Sequence, residues 1–549
     1  MKRFIGVMGL AMAFSAGAEE VPTFSGQVAE IVYTQCTPCH RPDGGAPLSL
    51  TSYEEISRRA RMIAKVTASG QMPPWKVDHS DLRFKNERGL PEAQQAILAA
   101  WAKAGAPLGD AAAVPELPAF ASGWTHGTPD LVLEMEQDMP IPASGTDIYR
   151  NFVIKIPDLP EGKYLAGLEY APKAATTAHH TLFSIDSTGR SRKLSESQPR
   201  PGFSGGAGSG AMGRIAGWAV GSVPAMFPAD AAITIPPGSD LVLSSHFHPT
   251  GKDEVERSQV ALYLTDEAPA RSINTLDVPF MFGALKNIRI PAGDSHYVVK
   301  EEFTIPTDAN LAYLSPHAHY LATTMDATAT LPDGTELSLI SIKNWDFGWQ
   351  EQYELAEEML LPAGTRIEME FVYDNSAENP FNPSNPPREV TWGLQSTDEM
   401  ACITLGLITP TQEAKDALRD GYIAWVKNDV ATADPSIVLA SFQAMSKDRF
   451  DMNGDGEVSW AETWTMTGQI YSRIRNARQP GSGEMGEVRA QILPLILRRV
   501  FRLVVLPWLL PRAAILAVVF GLLLYALRQW RKRRRARVVL ATQTPAESA

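Results

Sequence analysis

The sequence predicts a multidomain chain: a helical N-terminal domain, two β-sandwich domains, a short helical segment and a C-terminal transmembrane helix. Three observations support this fold class. The chain has 549 residues, too many for one hydrophobic core. Its apolar residues follow a helical period before residue 110, alternate along short segments between 121 and 410, and form dense runs near the C-terminus. A Pro/Ala-rich linker at 111–120 separates the first two patterns.

Both ends of the chain carry targeting signals. A basic start, an apolar stretch over 4–14 and small residues at 16–18 are typical of a signal peptide over 1–18, with an uncleaved anchor as the alternative. Apolar runs on either side of Arg512 predict a transmembrane helix over 503–528, with an amphipathic surface helix as the alternative. The basic tail at 529–549 predicts a cytoplasmic C-terminus, and hence an exported, periplasmic body anchored in the inner membrane.

Charge and cysteine content narrow the function classes. The net charge is −12 and the dense basic run is confined to the C-terminus, so a nucleic-acid-binding surface is excluded. The chain has three cysteines, two of them in one motif, which leaves no disulfide framework. Packing and metals must therefore stabilise the fold.

The helical region at 24–110 contains the motif Cys36-Thr-Pro-Cys39-His40. Helical periodicity predicts three helices around it, over 27–35, 53–68 and 91–104. Two thiols at this spacing can bond to the vinyl groups of haem, and the adjacent histidine then reaches the iron. A zinc site or a redox dithiol is the alternative, but a zinc site needs further ligands nearby. The sequence predicts an all-α cytochrome c domain with covalent haem c.

A second axial ligand of the haem is expected later in the same domain. Met72 lies on a loop before the last predicted helix, and a thioether there raises the haem potential, as an electron relay requires. Met62, which lies in a helical pattern, and His79 are the alternatives. We therefore predict Met72 as the second ligand.

Residues 121–410 have the pattern of antiparallel β-sandwiches. Polar and apolar residues alternate along several segments, at 131–135, 151–156, 241–245, 260–264 and 366–373. Clusters of turn-forming residues separate them, as at 332–334 and 382–387. This length suffices for two sandwiches, which we place at 121–268 and 269–410.

The histidines of this β region fall in three close groups. His179 and His180 are adjacent, whereas His246-Phe-His248 and His317-Ala-His319 are His-x-His pairs. Residues i and i+2 of a strand project from the same face, so each His-x-His pair can bind one ion. Adjacent residues point to opposite faces, so joint binding by His179 and His180 requires a bend or a strand end. Three such groups in one region favour metal binding over a structural role.

The order of these groups resembles that of the copper type II monooxygenases, the family of the peptidylglycine α-hydroxylating and dopamine β-hydroxylating enzymes. The paired histidines are followed by Leu241-Val-Leu-Ser-Ser-His246-Phe-His248-Pro, by Pro316-His317-Ala-His319 and by Ser396-Thr-Asp-Glu-Met400. The likeness spans residues 121–410. It implies two jelly-roll-like sandwiches that face a solvent cleft, with one copper on each.

The resemblance also implies a role for each ligand. The copper that transfers electrons would be held by His179, His180 and His246. The copper that binds dioxygen and hydroxylates a C–H bond would be held by the catalytic residues His317, His319 and Met400. Imidazole binds both oxidation states of copper and a thioether favours Cu(I), which fits these roles. His248 is implied to orient His246, with direct metal binding as the alternative.

Two positions depart from the family pattern. The peptidylglycine enzymes hold their substrate with an arginine two residues before the His-x-His pair and a tyrosine four residues after the methionine. Ser315 and Thr404 stand at these positions here, so a peptide with a C-terminal glycine is not the expected substrate. The family's disulfides are missing as well, and Cys402 is expected to be a buried thiol whose role stays open.

Residues 451–462 match the calcium loop of an EF-hand at every defined position. The predicted ligands are Asp451, Asn453, Asp455, Glu457 through its carbonyl, Ser459 through water and Glu462. We predict a helical EF-hand-like segment over 430–475 that binds Ca²⁺ in a structural role, with a regulatory role as the alternative.

Taken together, these patterns predict a copper-dependent monooxygenase that carries its own haem. The haem would pass single electrons to the copper at His179, His180 and His246. An external one-electron donor would reduce the haem: a redox protein, a quinol pathway or an ascorbate-like reductant. Dioxygen and an unknown small-molecule or peptide substrate complete the reaction. The alternative is a non-catalytic, membrane-anchored electron-transfer or copper-binding protein.

Overall fold

A computed structural model shows two compact units. It describes residues 21–434 apart from 43–45, 47, 86, 121–122, 146, 204–213 and 220–223, and beyond them only residues 437, 491–492, 494–495, 498–499 and 528. The first unit comprises the chain up to Trp75 together with Asn86–Gly123. The second comprises Lys76–Lys85 and the chain from Trp124 onward. The predicted signal peptide at 1–18 lies outside the described residues.

The first unit consists of short helices joined by loops. After a π-helical turn at Phe24–Val28 come α1 (Ala29–Gln35), α2 (Tyr53–Ser57), α3 (Ala60–Ala68) and α4 (Glu92–Lys103), then a 3₁₀ turn at Ala111–Ala113. The helix α2 begins at a capping box in which the side chains of Ser52 and Glu55 each accept a hydrogen bond from the other's backbone N–H. Phe24, Ile56 and Trp101 are fully buried in one apolar cluster, which holds these helices together.

The predicted fold class is wrong in its all-α cytochrome domain over 24–110. The segment Lys76–Lys85, from the middle of that range, belongs to the second unit and pairs there with strands. The N–H of Asp78 donates to the carbonyl of Ser341 over 2.8 Å, and that of Lys85 donates to the carbonyl of Glu354 over 2.7 Å. Helical periodicity elsewhere in the range could not reveal this pairing, because it is made with distant strands. The described chain is mainly β-sheet with few helices.

The second unit contains two groups of strands in β-sandwich-like layers. The first group is β1 (Leu131–Glu134), β2 (Met139–Ile141), β3 (Ile148–Lys155), β4 (Tyr164–Ala171), β5 (Ala178–Asp186), β6 (Arg214–Ala219), β7 (Ala225–Met226), β8 (Asp240–Phe247), β9 (Glu254–Glu256) and β10 (Gln259–Thr265). Its two larger sheets have the orders β1-β10-β4-β7 and β3-β8-β5-β6, and β2 pairs with β9. Helix α5 (Arg190–Glu196) follows β5. Apolar side chains from both larger sheets share one core, among them the buried Phe183, Leu243 and Val260.

The second group of strands follows directly. It comprises β11 (Ser272–Val278), β12 (Arg289–Ile290), β13 (Tyr297–Thr304), β14 (Ala309–His317), β15 (Ala322–Thr330), β16 (Glu336–Ile342), β17 (Tyr353–Leu361), β18 (Arg366–Tyr373), β19 (Val390–Thr391) and β20 (Cys402–Thr409). The larger sheets have the orders β11-β20-β14-β17 and β13-β18-β15-β16, and β12 pairs with β19. Every residue of β20 is buried. Helix α6 (Gln412–Thr432) packs on this side, and its Tyr422 hydroxyl donates to the carbonyl of Asp277 over 2.7 Å.

The predicted localisation, a periplasmic body anchored by a C-terminal span, is wrong, and with it the transmembrane part of the fold class. Among the residues that the structure describes, no helix is long and apolar enough to cross a membrane. The prediction rested on the signal peptide at 1–18, the hydropathy of 503–528 and the basic tail at 529–549. The segment at 503–528, apart from Arg528, and the basic tail at 529–549 lie outside the described residues. Of the EF-hand-like segment at 430–475, only residues 430–434 and 437 are described.

Candidate metal centre

His179 and His180 lie at the start of β5, where the strand carries a β-bulge. In the antiparallel pairing of β5 with β8, Ala178 is opposite Phe247 and His180 is opposite His246. His179 is therefore an extra residue with no partner on β8. A bulge turns the strand and re-aims side chains that would otherwise point to opposite faces. Two adjacent histidines can in this way lie on one side of the sheet, beside His246.

The ring nitrogens of these three histidines converge. One ligand atom from each of His179, His180 and His246 lies within 4.8 Å of the other two. The Nδ1 atoms of His179 and His180 are 3.3 Å apart. Two imidazoles bound to one ion at ~2.0–2.1 Å and at a tetrahedral angle have their nitrogens about 3.3 Å apart. These three residues, the first cluster, therefore fit a single metal ion.

The ring nitrogens of His246 give a second, independent indication of a metal site. Only 1% of the residue is exposed, yet neither ring nitrogen makes a hydrogen bond in the described chain. Its Nε2 lies 3.3 Å from Oδ2 of Asp147. The ring of Tyr149 stacks on it with the centroids 4.2 Å apart. Because buried polar nitrogens are normally paired, a metal bound to one of them would satisfy an atom that the described chain leaves unpaired.

His317 and His319 form a second group of imidazoles. His317 is the last residue of β14, opposite Cys402 of β20, and His319 follows just beyond the strand. Their ring centroids are 5.4 Å apart. Nδ1 of His319 donates a hydrogen bond to the carbonyl of Asp398 over 3.1 Å. That bond sets the tautomer and leaves Nε2 of His319 for a metal.

Glu399 holds the loop that carries Met400. Its carboxyl group is fully buried and accepts hydrogen bonds from the N–H groups of His319 (2.9 Å), Leu321 (2.6 Å) and Met400 (3.1 Å). Burial raises the pKa of Glu399 to about 8, although these donors act to lower it. Met400 is buried, and its carbonyl accepts a hydrogen bond from the Tyr373 hydroxyl over 2.7 Å. We call His317, His319 and Met400, the predicted ligands of the second copper, the second cluster.

The two clusters lie against each other. The ring centroids of His180 and His317 are 5.8 Å apart. Phe347, which is buried, stacks on His179 at 4.6 Å and meets the ring of His319 edge-on at 5.7 Å. The family resemblance implies a solvent cleft between the two metals. Here the buried ring of Phe347 contacts an imidazole from each cluster.

Burial keeps these imidazoles neutral. It lowers the pKa of His179 to about 3 and that of His319 to about 4. It also lowers the pKa values of His180, His246 and His317, and the neighbouring histidines lower them further. Neutral imidazole is the form that binds metals, so the electrostatics of both clusters favour a metal site.

Asp147, just before β3, contacts residues of both strand groups. Nδ1 of His248 donates to its Oδ1 over 2.7 Å, and the hydroxyl of Ser396 donates to its Oδ2. Burial raises the pKa of Asp147, but its contacts with His246, Ser396 and His248 outweigh this and hold the pKa below its ordinary value. Because His248 is half exposed and paired with Asp147, it lies beside the first cluster and not within it.

Sequence reasoning missed two residues of the site, Asp147 and Phe347. It also missed the role of Glu399. Glu399 stands inside the Ser-Thr-Asp-Glu-Met motif, and that position was an available signal. Asp147 and Phe347 have no local signal, because their neighbours in the site come from distant parts of the chain.

The structure shows the surroundings of Ser315 and Thr404, the two positions that depart from the family pattern. Ser315 and Thr404 are cross-strand partners on β14 and β20. The Thr404 hydroxyl donates to Asp277 over 2.8 Å and accepts from Arg214 over 2.6 Å. Arg214 also pairs with Asp277. The hydroxyl of Thr404 is thus occupied by contacts within the protein.

The three cysteines have free thiols. Cys36 and Cys39 lie on the turn that follows α1, where the N–H of Cys39 donates to the carbonyl of Cys36 over 3.2 Å. Burial, and then the neighbouring Cys39, raise the pKa of Cys36 to about 12. Cys402 is fully buried, which raises its pKa well above the ordinary value and keeps the thiol protonated.

The predicted axial ligands, His40 and Met72, both belong to the first unit. Nδ1 of His40 donates to the carbonyl of Leu48 over 3.1 Å, which leaves Nε2 available to an iron. Met72 is half-buried on the turn after α3. Of its alternatives, Met62 is 42% exposed and His79 belongs to the segment that pairs with β16 in the second unit.

The calcium loop is not part of the described chain. All six predicted ligands lie outside the described residues: Asp451, Asn453, Asp455, Glu457, Ser459 and Glu462. The calcium site therefore stays a prediction.

Comparisons with known proteins do not identify the chain. No family model matches it, and no curated protein matches it. Among solved structures it is similar to PNGF-II, at 11% identity and a TM-score of 0.23, over 50% of this chain and 65% of that one. A xanthan lyase from Paenibacillus matches at 13% identity and a TM-score of 0.14, over 48% of this chain and 23% of that one. The VP2 subviral particle of infectious bursal disease virus matches at 10% identity and a TM-score of 0.17, over 52% and 73%. Such low scores carry no functional argument, and the candidate site depends on its own geometry.

Proposed function

We propose that this protein is a copper-dependent monooxygenase that hydroxylates a C–H bond with dioxygen and receives electrons through a covalently attached c-type haem. One observation carries the proposal: the ring nitrogens of His179, His180 and His246 converge to within 4.8 Å. Three neutral imidazoles suit copper in both oxidation states. The resemblance to the copper type II monooxygenases supplies the reaction class.

The side chains around both clusters support this chemistry. When bound, copper supplies one-electron transfer at the first cluster and dioxygen activation at the second. Burial keeps the imidazoles unprotonated and ready to bind. Asp398 sets the tautomer of His319, and Glu399 holds the backbone of Met400. Phe347 packs against the rings of His179 and His319.

We propose that haem c is attached through Cys36 and Cys39, with His40 and Met72 as axial ligands. The hydrogen bond from His40 to Leu48 supports this assignment, because it orients the ring and leaves Nε2 available. The haem supplies one-electron transfer. In the overall reaction one oxygen atom enters the substrate and the other leaves as water, balanced by two electrons and two protons. An external one-electron donor supplies the electrons.

The test compares Met400→Ala with Met359→Ala in the full chain. Met359 is a half-buried methionine on β17 and serves as the matched control. Both variants are loaded with copper and haem, and oxygen consumption is followed with a reductant and a panel of C–H substrates. Met400→Ala is expected to keep its haem and the copper of the first cluster but to lose turnover, while Met359→Ala keeps turnover. Equal turnover in Met400→Ala and the wild type would contradict the proposal.

The same oxygen-consumption assay distinguishes the monooxygenase from the alternative, a non-catalytic electron-transfer or copper-binding protein. A wild-type chain that binds copper and passes electrons from haem to copper, yet consumes no oxygen with any substrate, is the electron-transfer or copper-binding protein. In that case Met400→Ala and Met359→Ala would behave alike.

A further inference from the structure

Asp147 is a buried carboxylate that contacts both parts of the metal centre. Its side chain is only 6% exposed. Its polar contacts are Nε2 of His246 at 3.3 Å, Nδ1 of His248 at 2.7 Å and the hydroxyl of Ser396. Asp147 belongs to neither predicted ligand set. Its contacts are therefore not explained by Asp147 binding a metal itself.

The contact with His246 bears on the first cluster. Both nitrogens of this buried ring lack hydrogen bonds, and Asp147 is the carboxylate next to Nε2. A carboxylate beside one ring nitrogen favours the tautomer that carries the proton there, which leaves the other nitrogen for a metal. Asp147 thus selects Nδ1 of His246 as the ligand atom. The Nδ1 atoms of His179 and His180 already lie side by side at 3.3 Å.

The contact with Ser396 bears on the second cluster. Ser396 begins the loop that ends at Met400. Within that loop the carbonyl of Asp398 accepts the hydrogen bond from Nδ1 of His319. The hydroxyl of Ser396 is buried, and its bond to Asp147 anchors the beginning of the loop to the other strand group. One carboxylate therefore contacts a ligand of the first cluster and the loop that positions two ligands of the second.

We propose that Asp147 is a positioning residue shared by both clusters: it orients His246 for the first metal and anchors at Ser396 the loop that carries Met400 for the second. This inference rests on the proposed copper-binding function. It predicts that one substitution weakens both metal sites, although Asp147 binds neither metal.

The test uses the full chain, stripped of metal and titrated with Cu(I) against a competing chelator, then oxidised for EPR and potentiometry. Asp147→Asn keeps the size of the side chain and removes its charge. Ser396→Ala removes only the anchor of the loop. Asp266→Asn is the matched control, because Asp266 is an 82% exposed aspartate paired with Lys163.

Asp147→Asn should weaken copper binding at the first cluster by about 10–100-fold, and it should weaken the second cluster as well because the anchor at Ser396 is altered. It should also raise the reduction potential of the copper at the first cluster, because a nearby anion stabilises Cu(II) more than Cu(I). Ser396→Ala should change the affinity and EPR spectrum of the second cluster alone. Asp266→Asn should match the wild type in all three measurements.

Three results would overturn the inference. Wild-type affinity, potential and EPR spectrum in Asp147→Asn would remove the role at the first cluster. An unaltered second cluster in Ser396→Ala would remove the shared role, and this variant decides the matter even if Asp147→Asn does not fold. A wild-type chain that binds no copper would overturn the proposed function together with this inference, whereas copper binding unaffected by Asp147→Asn would overturn the inference alone.

Discussion

Glu399→Gln tests how the loop that carries Met400 is held. The buried Glu399 has its pKa raised from 4.5 to about 8. Between these two pH values the folded chain keeps a proton on this carboxyl group that the unfolded chain releases. The stability contributed by this proton is fully present below pH 4.5 and is lost as the pH rises through about 8. Glutamine has the shape of the protonated carboxyl group and does not titrate.

The size of the effect follows from the proton difference. One proton changes the free energy of unfolding by about 1.4 kcal/mol per pH unit. From about pH 6 to about pH 8 the wild type should therefore lose roughly 2–3 kcal/mol of stability relative to Glu399→Gln. Glu399→Ala leaves three buried N–H groups unpaired, each at a cost of about 1–3 kcal/mol, and should be destabilised by at least ~3 kcal/mol at both pH values.

The assay is urea denaturation of the metal-free full chain, followed by tryptophan fluorescence. Trp345 reports on this loop, because its indole N–H donates to the carbonyl of His319 over 3.1 Å. Glu389→Gln is the matched control, since Glu389 is half exposed and makes a surface ion pair with Arg289. Parallel pH profiles for the wild type and Glu399→Gln would refute the reasoning, as would a Glu399→Ala variant as stable as the control.

Three further substitutions test separate parts of the protein. His246→Ala should lower the copper content from two ions to one per chain, whereas His296→Ala, at an exposed histidine, should keep both; equal losses by metal analysis would contradict this. Phe347→Ala should destabilise the chain by about 3–5 kcal/mol in thermal denaturation, and a loss below about 1 kcal/mol would argue against its packing on His179. Cys36→Ser should reduce the haem that stays attached on a denaturing gel while copper binding persists; unchanged attachment would exclude Cys36 as an anchor.

The strands of the sandwiches were the most predictable part of the fold. The alternating segment at 366–373 coincides with β18 (Arg366–Tyr373), and the segment at 241–245 lies within β8. Alternation reveals a strand such as β18, because over its first half one face is buried and the other is less so. The N-terminal region was less predictable, since the segment Lys76–Lys85 pairs with strands far away in sequence and carries no pattern of its own.

The histidines of the site could be found from sequence, but their geometry could not. Two adjacent histidines can bind one ion only if the strand bends, and the bulge at His179 exists through its pairing with β8. The contacts of Asp147 with Ser396 and of Phe347 with His179 join residues far apart in the chain. Such contacts follow from the tertiary fold, which single-residue patterns do not encode.

The most direct test of two copper ions in adjoining clusters is EPR spectroscopy of the full chain loaded with Cu(II). The rings of His180 and His317 lie 5.8 Å apart, so the account predicts two coppers per chain with a mutual magnetic interaction. That interaction should disappear, and the copper content should fall to one, when His317 and His319 are both replaced by alanine. No bound copper, a single copper lost with either cluster, or two coppers without interaction would contradict it.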